Sequence, residues 1–166
     1  MASLEDQPIR RLPTGSGEFD RVLGGGLVPG SLVLVGGDPG IGKSTLLLQS
    51  ASAMAAQTSV LYVSAEESAQ QVKLRWQRLA GGPSDLQLLA ETDLELVLEE
   101  LEGLRPDVAI IDSIQALHDA NLPSAPGSVG QVRECAAALQ RLAKRQTTAM
   151  LLVGHVTKEG MLAGPK

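Results

Sequence analysis

The stretch "GDPGIGKS", Gly37 to Ser44, constrains this chain more than any other. It fits G-x-x-x-x-G-K-[ST] and lies between the apolar run Ser31 to Gly36 and a helix candidate that opens at Lys43, the context in which this spacing builds a phosphate-binding loop. Glycines at 37, 40 and 42 let the backbone wrap closely around phosphate oxygens, where successive N–H groups and the next helix N-terminus attract an anion. The candidate nucleotide contacts are therefore Gly37, Asp38, Pro39, Gly40, Ile41, Gly42, Lys43, Ser44 and Thr45. Lys43 brings a mobile positive charge to the terminal phosphates, and the Ser44 hydroxyl is placed to ligate Mg2+. A glycine-rich turn capping a helix would account for the glycines, but not for Lys-Ser in this register.

Around that loop, short β-type runs alternate with amphipathic segments, the pattern of a mostly parallel sheet flanked by helices in an α/β fold. Strands are expected at Ser31 to Gly36, Ser59 to Ser64, Leu86 to Leu89, Val108 to Asp112 and Thr148 to Val153. Their apolar character suits burial on both faces. Helices are expected at Gly17 to Leu23, Lys43 to Ala56, Glu67 to Ala80, Leu94 to Leu101 and Gly127 to Arg145. Two segments resist the pattern: "GGGLVPG", Gly24 to Gly30, and "HDANLPSAPGSV", His118 to Val129, the second long enough to be a functional loop. With 166 residues, the chain is the size of one domain, residues 1–166. It has no long uncharged apolar run, no secretory leader pattern and a lone Cys135, which together argue for a cytoplasmic protein with no membrane partner.

Two strand ends carry acids. In "VAIIDSIQ" four apolar residues close on Asp112, as the strand that delivers the second metal-site acid of such enzymes does, holding Mg2+ through water. The alternative for Asp112 is a helix N-cap. In "LYVSAEES" the run ends at Glu66 and Glu67, either of which could activate a water beyond the terminal phosphate. Both could equally be first-turn acids of the next helix. Neighbouring side chains in an extended segment point opposite ways, so the two cannot share one role.

The net charge of −5 is unevenly spread: residues 1–120 carry −9 and residues 121–166 carry +4. One Trp, one Tyr and one Phe cannot form an aromatic base-stacking platform, so any nucleic-acid contact should be to phosphates. On the last helix, Val129, Val132, Cys135, Ala136, Leu139, Leu142 and Ala143 fall on one face, with Arg133, Arg141, Lys144 and Arg145 on an opposing arc. A solvated basic face is the competing explanation.

The stretches "PTGSGEFDRVLGGGLVPGSLVLVGGDPGIGKSTLLLQ", "VLYVSAEES", "PDVAIIDSIQ", "SAPGSVGQVRE" and "LLVGHVTKEGMLAGPK" resemble the ATPase core of the RadA (Sms) family of bacterial DNA repair proteins, within the RecA-like phosphate-loop ATPases. The resemblance spans nearly the whole chain. It implies a RecA-like fold using ATP as substrate with Mg2+, in which Glu66 is the catalytic glutamate beside Lys43, and Glu67 a supporting or helix-start acid. It implies that His155 senses the nucleotide state. It also implies two DNA-facing loops, Asn121 to Ser128 and Lys158 to Lys166, with Ser128, Arg133, Lys158 and Lys166 as DNA contacts.

Proteins of that family begin with a four-cysteine zinc module and continue into a Lon-protease-like domain. Neither is present here, so no zinc is expected, and the chain reads as a core truncated at its C-terminal end. The function implied is a DNA-dependent ATPase that couples hydrolysis to binding and branch migration of single-stranded or branched DNA in recombinational repair. The intact protein is expected to form a homo-oligomeric ring, and the excised core to turn over slowly. Two rivals remain: a KaiC-like or replicative-helicase-like ATPase, and a nucleotide-gated scaffold without motor activity.

Overall fold

A computed structural model describes residues 10–37, 43–80 and 86–155. In chain order the elements are α1 (Gly17–Val22), β1 (Leu32–Gly37), α2 (Lys43–Met54), β2 (Val60–Ser64), α3 (Ala69–Ala80), β3 (Gln87–Ala90), α4 (Leu94–Leu104), β4 (Val108–Asp112), a 3-10 turn at Ile114–Ala116, α5 (Val129–Gln146) and β5 (Ala149–His155). The strands form one sheet in the order β1-β5-β4-β2-β3. Every neighbouring pair is parallel, as alternation of strand and helix dictates.

The sheet is buried on both faces because its strand residues alternate between two cores. On one side Leu61, Val63, Ala109, Ile111, Met150 and Leu152 pack against Val97 and Leu101 of α4 and Leu139 and Leu142 of α5. On the other, Val60, Tyr62, Val108, Ile110, Leu151 and Val153 pack against Leu47, Leu48 and Ala51 of α2 and Val72 of α3. This explains the near-continuous apolar runs: a strand covered on both faces has no solvated side to make polar. Edge strand β1 is covered less fully, and its Leu34 is 47 % exposed.

"GGGLVPG" is a hook rather than a plain connection. Leu12 and Leu27 exchange backbone hydrogen bonds of 2.7 and 2.8 Å, tying the chain ahead of α1 to the segment that enters β1. Gly26, between them at φ +135°, must be glycine: a Cβ there would lie 2.5 Å from the Leu12 carbonyl oxygen. Ser16 caps α1 by accepting from the Phe19 amide, and buried Thr14 donates its hydroxyl to Asp20 at 2.6 Å.

Several expected boundaries move, each for a local reason. Helix α3 starts at Ala69, not Glu67, because Ser68 and Gln71 form a reciprocal capping box: the Gln71 amide donates to Ser68 Oγ and the Ser68 amide to Gln71 Oε1. Glu67 is therefore not a first-turn acid. Helix α4 runs three residues past Leu101 and stops where Arg105 turns left-handed at φ 47°. On α5, Val129 is 61 % exposed instead of joining the apolar face, and Gln131 takes a fully buried place there. Strand β5 continues to His155 because β1 runs beside it as far as Gly37, whose register partner is His155.

Candidate nucleotide and DNA site

All five strands are parallel, so their C-terminal ends share one edge of the sheet, the place where open α/β sheets bind ligands. β1 ends there at Gly37, the first residue of the glycine-rich stretch, and α2 begins at Lys43. Asp38, Pro39, Gly40, Ile41 and Gly42 lie outside the described residues, as do Lys158 and Lys166. Ser44 and Thr45 sit half-buried in the first turn of α2. His155 closes β5 beside Gly37, so the expected sensor position and the opening of the phosphate loop are register partners on adjacent strands.

Asp112 ends β4 at the same edge and is 5 % exposed. It is not a helix N-cap: Ser113 holds that position for the 3-10 turn, and the Asp112 carboxylate instead accepts a 2.7 Å hydrogen bond from the Tyr62 hydroxyl. Tyr62 belongs to the core under α2, so the carboxylate lies on the face that the helix after the phosphate loop covers. Burial, followed by the charge of Asp112, holds the Tyr62 phenol well above its ordinary pKa and keeps it a donor. No group of three or more His, Cys, Asp or Glu side chains able to hold a metal occurs among the described residues. One carboxylate and one hydroxyl, Asp112 and Ser44, nevertheless suit Mg2+, which keeps most of its waters and takes other oxygens from substrate phosphates.

The paired acids after β2 separate cleanly. Ser113 Oγ, fully buried, donates to Glu66 Oε1 at 2.5 Å, so Glu66 is tethered to the residue next to Asp112. The Asp112–Ser113 peptide is cis. Glu67 turns the other way and pairs with Arg75 of α3, one of its oxygens lying 2.6 Å from the guanidinium. Its backbone is fixed as well, since the Ser64 hydroxyl donates to the Glu67 carbonyl at 2.7 Å. The expectation that the two acids cannot share a role thus has a geometric counterpart: one reaches towards β4, the other along α3.

The long segment before α5 is organised by a residue that the sequence reading missed. The Gln131 side chain accepts from the Asp119 amide at 3.0 Å and donates to the carbonyls of Asp119 and Ser124 at 3.1 and 2.9 Å. A polar side chain on the apolar stripe of α5 was the available signal, since a buried amide must find partners. Ser128 caps the helix by accepting from the Gln131 amide. Replacing Gln131 by Leu should strand three loop hydrogen bonds at about 1 kcal/mol or more each. Limited proteolysis should then cut within residues 119–128 at least about tenfold faster, and an unchanged cleavage rate would remove Gln131 from this role.

Beyond the loop, Arg133, Arg141, Lys144 and Arg145 are all exposed along α5, the arc the helical period assigns them. Arg145 also pairs with Glu102 of α4 at 2.9 Å. Cys135 is buried among the apolar side chains, and burial pushes its thiol up to about 11, so it packs as a core residue. No helix among the described residues is long and apolar enough to cross a membrane.

Residues 3–161 match the model of the AAA domain family. Over the whole chain the sequence is 56 % identical to the DNA repair protein RadA of Listeria monocytogenes, 52 % to that of Bacillus subtilis and 54 % to that of Streptococcus pneumoniae. It spans 36 %, 36 % and 40 % of those proteins, respectively. Among solved structures, a DnaB-like replicative helicase superposes with a TM-score of 0.74 at 16 % identity, covering 95 % of this chain and 46 % of that one. A KaiC-like protein from Pyrococcus horikoshii superposes at 0.69 with 20 % identity, covering 94 % of this chain and 74 % of that one. At such identities the superpositions show a shared fold.

Proposed function

Since the chain belongs to the AAA domain family and is similar along its full length to RadA proteins, we propose that it is the ATPase core of a DNA repair protein, binding Mg·ATP and coupling its hydrolysis to DNA. The observation that carries this reading is the shared sheet edge. There the start of the phosphate loop at Gly37, the acid Asp112, the tethered Glu66 and the strand end at His155 all gather at the C-terminal ends of parallel strands.

The chemistry assigned to these residues is phosphoryl transfer to water. The backbone of Gly37 to Gly42 cradles the phosphates, Lys43 offsets their charge, and Ser44 with Asp112 would hold Mg2+, which neutralises charge developing on the phosphate oxygens. Glu66 orients the attacking water and takes its proton. Its tether to Ser113 places this carboxylate next to the strand end that carries Asp112. Glu67 supports the start of α3 through Arg75. His155 reports the state of the terminal phosphate along β5.

DNA is assigned to the loop that Gln131 organises and to the basic arc of α5, with Ser128 and Arg133 nearest the loop and Lys158 and Lys166 in the second expected loop. The net +4 of residues 121–166 supports contact with phosphates rather than bases. Assembly into a ring, use of branched DNA and a cytoplasmic location follow the same family reading.

The deciding experiment is ATP hydrolysis with and without single-stranded DNA over a salt series. Turnover should rise with DNA at low salt, and the apparent DNA affinity should fall on a log–log plot with a slope of about −0.7 per phosphate neutralised. Hydrolysis with no DNA effect at low salt would leave the ATPase standing and remove the DNA assignment, favouring a KaiC-like enzyme.

A further inference from the structure

Tyr62 is the only tyrosine in the chain and stands in a strand otherwise made of aliphatic residues and a terminal serine. It is 1 % exposed, and its ring packs in the core under α2. For packing alone, a phenylalanine or leucine would serve, because a buried hydroxyl must find a partner or lose its hydration. The partner is specific. Asp112 pairs in register with Ser64, two residues on from Tyr62 along the same face of β2, and this diagonal brings the phenol to Asp112 Oδ2 at 2.7 Å.

We propose that Tyr62 is a positioning residue for the nucleotide's cation: by holding one oxygen of Asp112 it fixes the rotation of that carboxylate and reserves the other oxygen for the cation's water shell. The proposal rests on the Mg·ATP reading above and adds to it a residue that touches neither nucleotide nor metal. A carboxylate that binds a metal through water has only weak geometric restraint from the metal itself, so its rotation must be set by the protein. Asp112 is too buried for bulk water to do this, and among the described residues the Tyr62 phenol is a side-chain donor to it.

The consequence is a separation between two affinities. In Tyr62→Phe the ring and the core remain, and only the hydroxyl is lost. Binding of a fluorescent ADP analogue should be unchanged in EDTA, whereas the Mg2+ concentration giving half-maximal enhancement should rise about tenfold, the usual size of such second-layer effects. Asp112→Asn should remove most of the enhancement by itself, and adding Tyr62→Phe to it should change nothing further.

A label on the single tyrosine gives an independent readout. With 13Cζ-tyrosine the chain should show one signal, which moves on adding Mg·ADP and moves much less with ADP in EDTA.

Equal losses of affinity with and without Mg2+, or a lower melting temperature with an unchanged Mg2+ requirement, would make Tyr62 a packing residue and overturn the proposal. So would full additivity in the double variant, or a tyrosine signal indifferent to Mg2+. A wild-type chain that binds no nucleotide in either condition would instead bring down the nucleotide reading, with this inference falling alongside it.

Discussion

Glu66→Gln is expected to lower ATP turnover by at least about 100-fold while leaving nucleotide binding intact, the size of effect a positioned general base commonly has. Gln keeps the shape of the side chain, and its amide oxygen can still accept the Ser113 hydroxyl, so the tether seen at Glu66 Oε1 survives. What it cannot do is take a proton. Glu67→Gln should behave differently. Its pair with Arg75 is about 30 % exposed at both side chains, so weakening it should cost no more than about 1 kcal/mol of stability, with turnover staying within a few-fold. Single-turnover hydrolysis with matched nucleotide-binding curves separates the two. Equal loss in both variants would dissolve the division of labour, and loss of binding in Glu66→Gln would make Glu66 a binding residue.

Ile110→Ala should have the largest effect on stability. Ile110 lies at the middle of β4, paired with Tyr62 on one side and Leu151 on the other, and is fully buried. Removing its side chain leaves a void between the sheet and the helices α2 and α3 that cover this face, so a loss of about 3 to 4 kcal/mol is expected. For a chain of this size that lowers Tm by roughly 10 °C, a large part of a typical total stability. Leu34→Ala on β1, already 47 % exposed, is the control and should shift Tm by far less. A larger shift for Leu34 than for Ile110 in thermal unfolding would mean that the centre of the sheet has been misplaced.

The strands and helices were legible because burial on both faces writes long apolar runs, and because glycine and proline punctuate them. Thus β2 and β4 fall within a residue of expectation. The end of β5 was not legible, since Gly154 and His155 are weak strand formers held there by β1, a neighbour distant in sequence. The acids at the site were visible as charges that interrupt apolar runs. Their partners were not. Nothing in the sequence pattern singles out Tyr62, Ser113 or Gln131 as a partner of these acids or of the loop. Each became informative only when folding brought it to Asp112, Glu66 or the segment at residues 119–124. Glu67 shows the opposite error: the adjacent capping pair, Ser68 and Gln71, competes for the helix start and wins it.

The strand order also governs when a working site can exist during synthesis. Among the described residues β1 pairs only with β5, with Leu32 opposite Met150, so the first of the described strands waits for the last of them. At about 5 to 20 residues per second the ribosome needs on the order of ten seconds to bridge that interval. Until then β1, which feeds directly into the glycine-rich stretch, lacks its ladder of backbone hydrogen bonds. β2, β3 and β4 can meanwhile assemble among themselves. A nascent chain caught at this stage would carry a finished acidic half, with Asp112 and Glu66 in place, and an unanchored phosphate-binding half. The proposed nucleotide site can therefore be complete only late, when β5 inserts between β4 and β1 and brings the two halves into register.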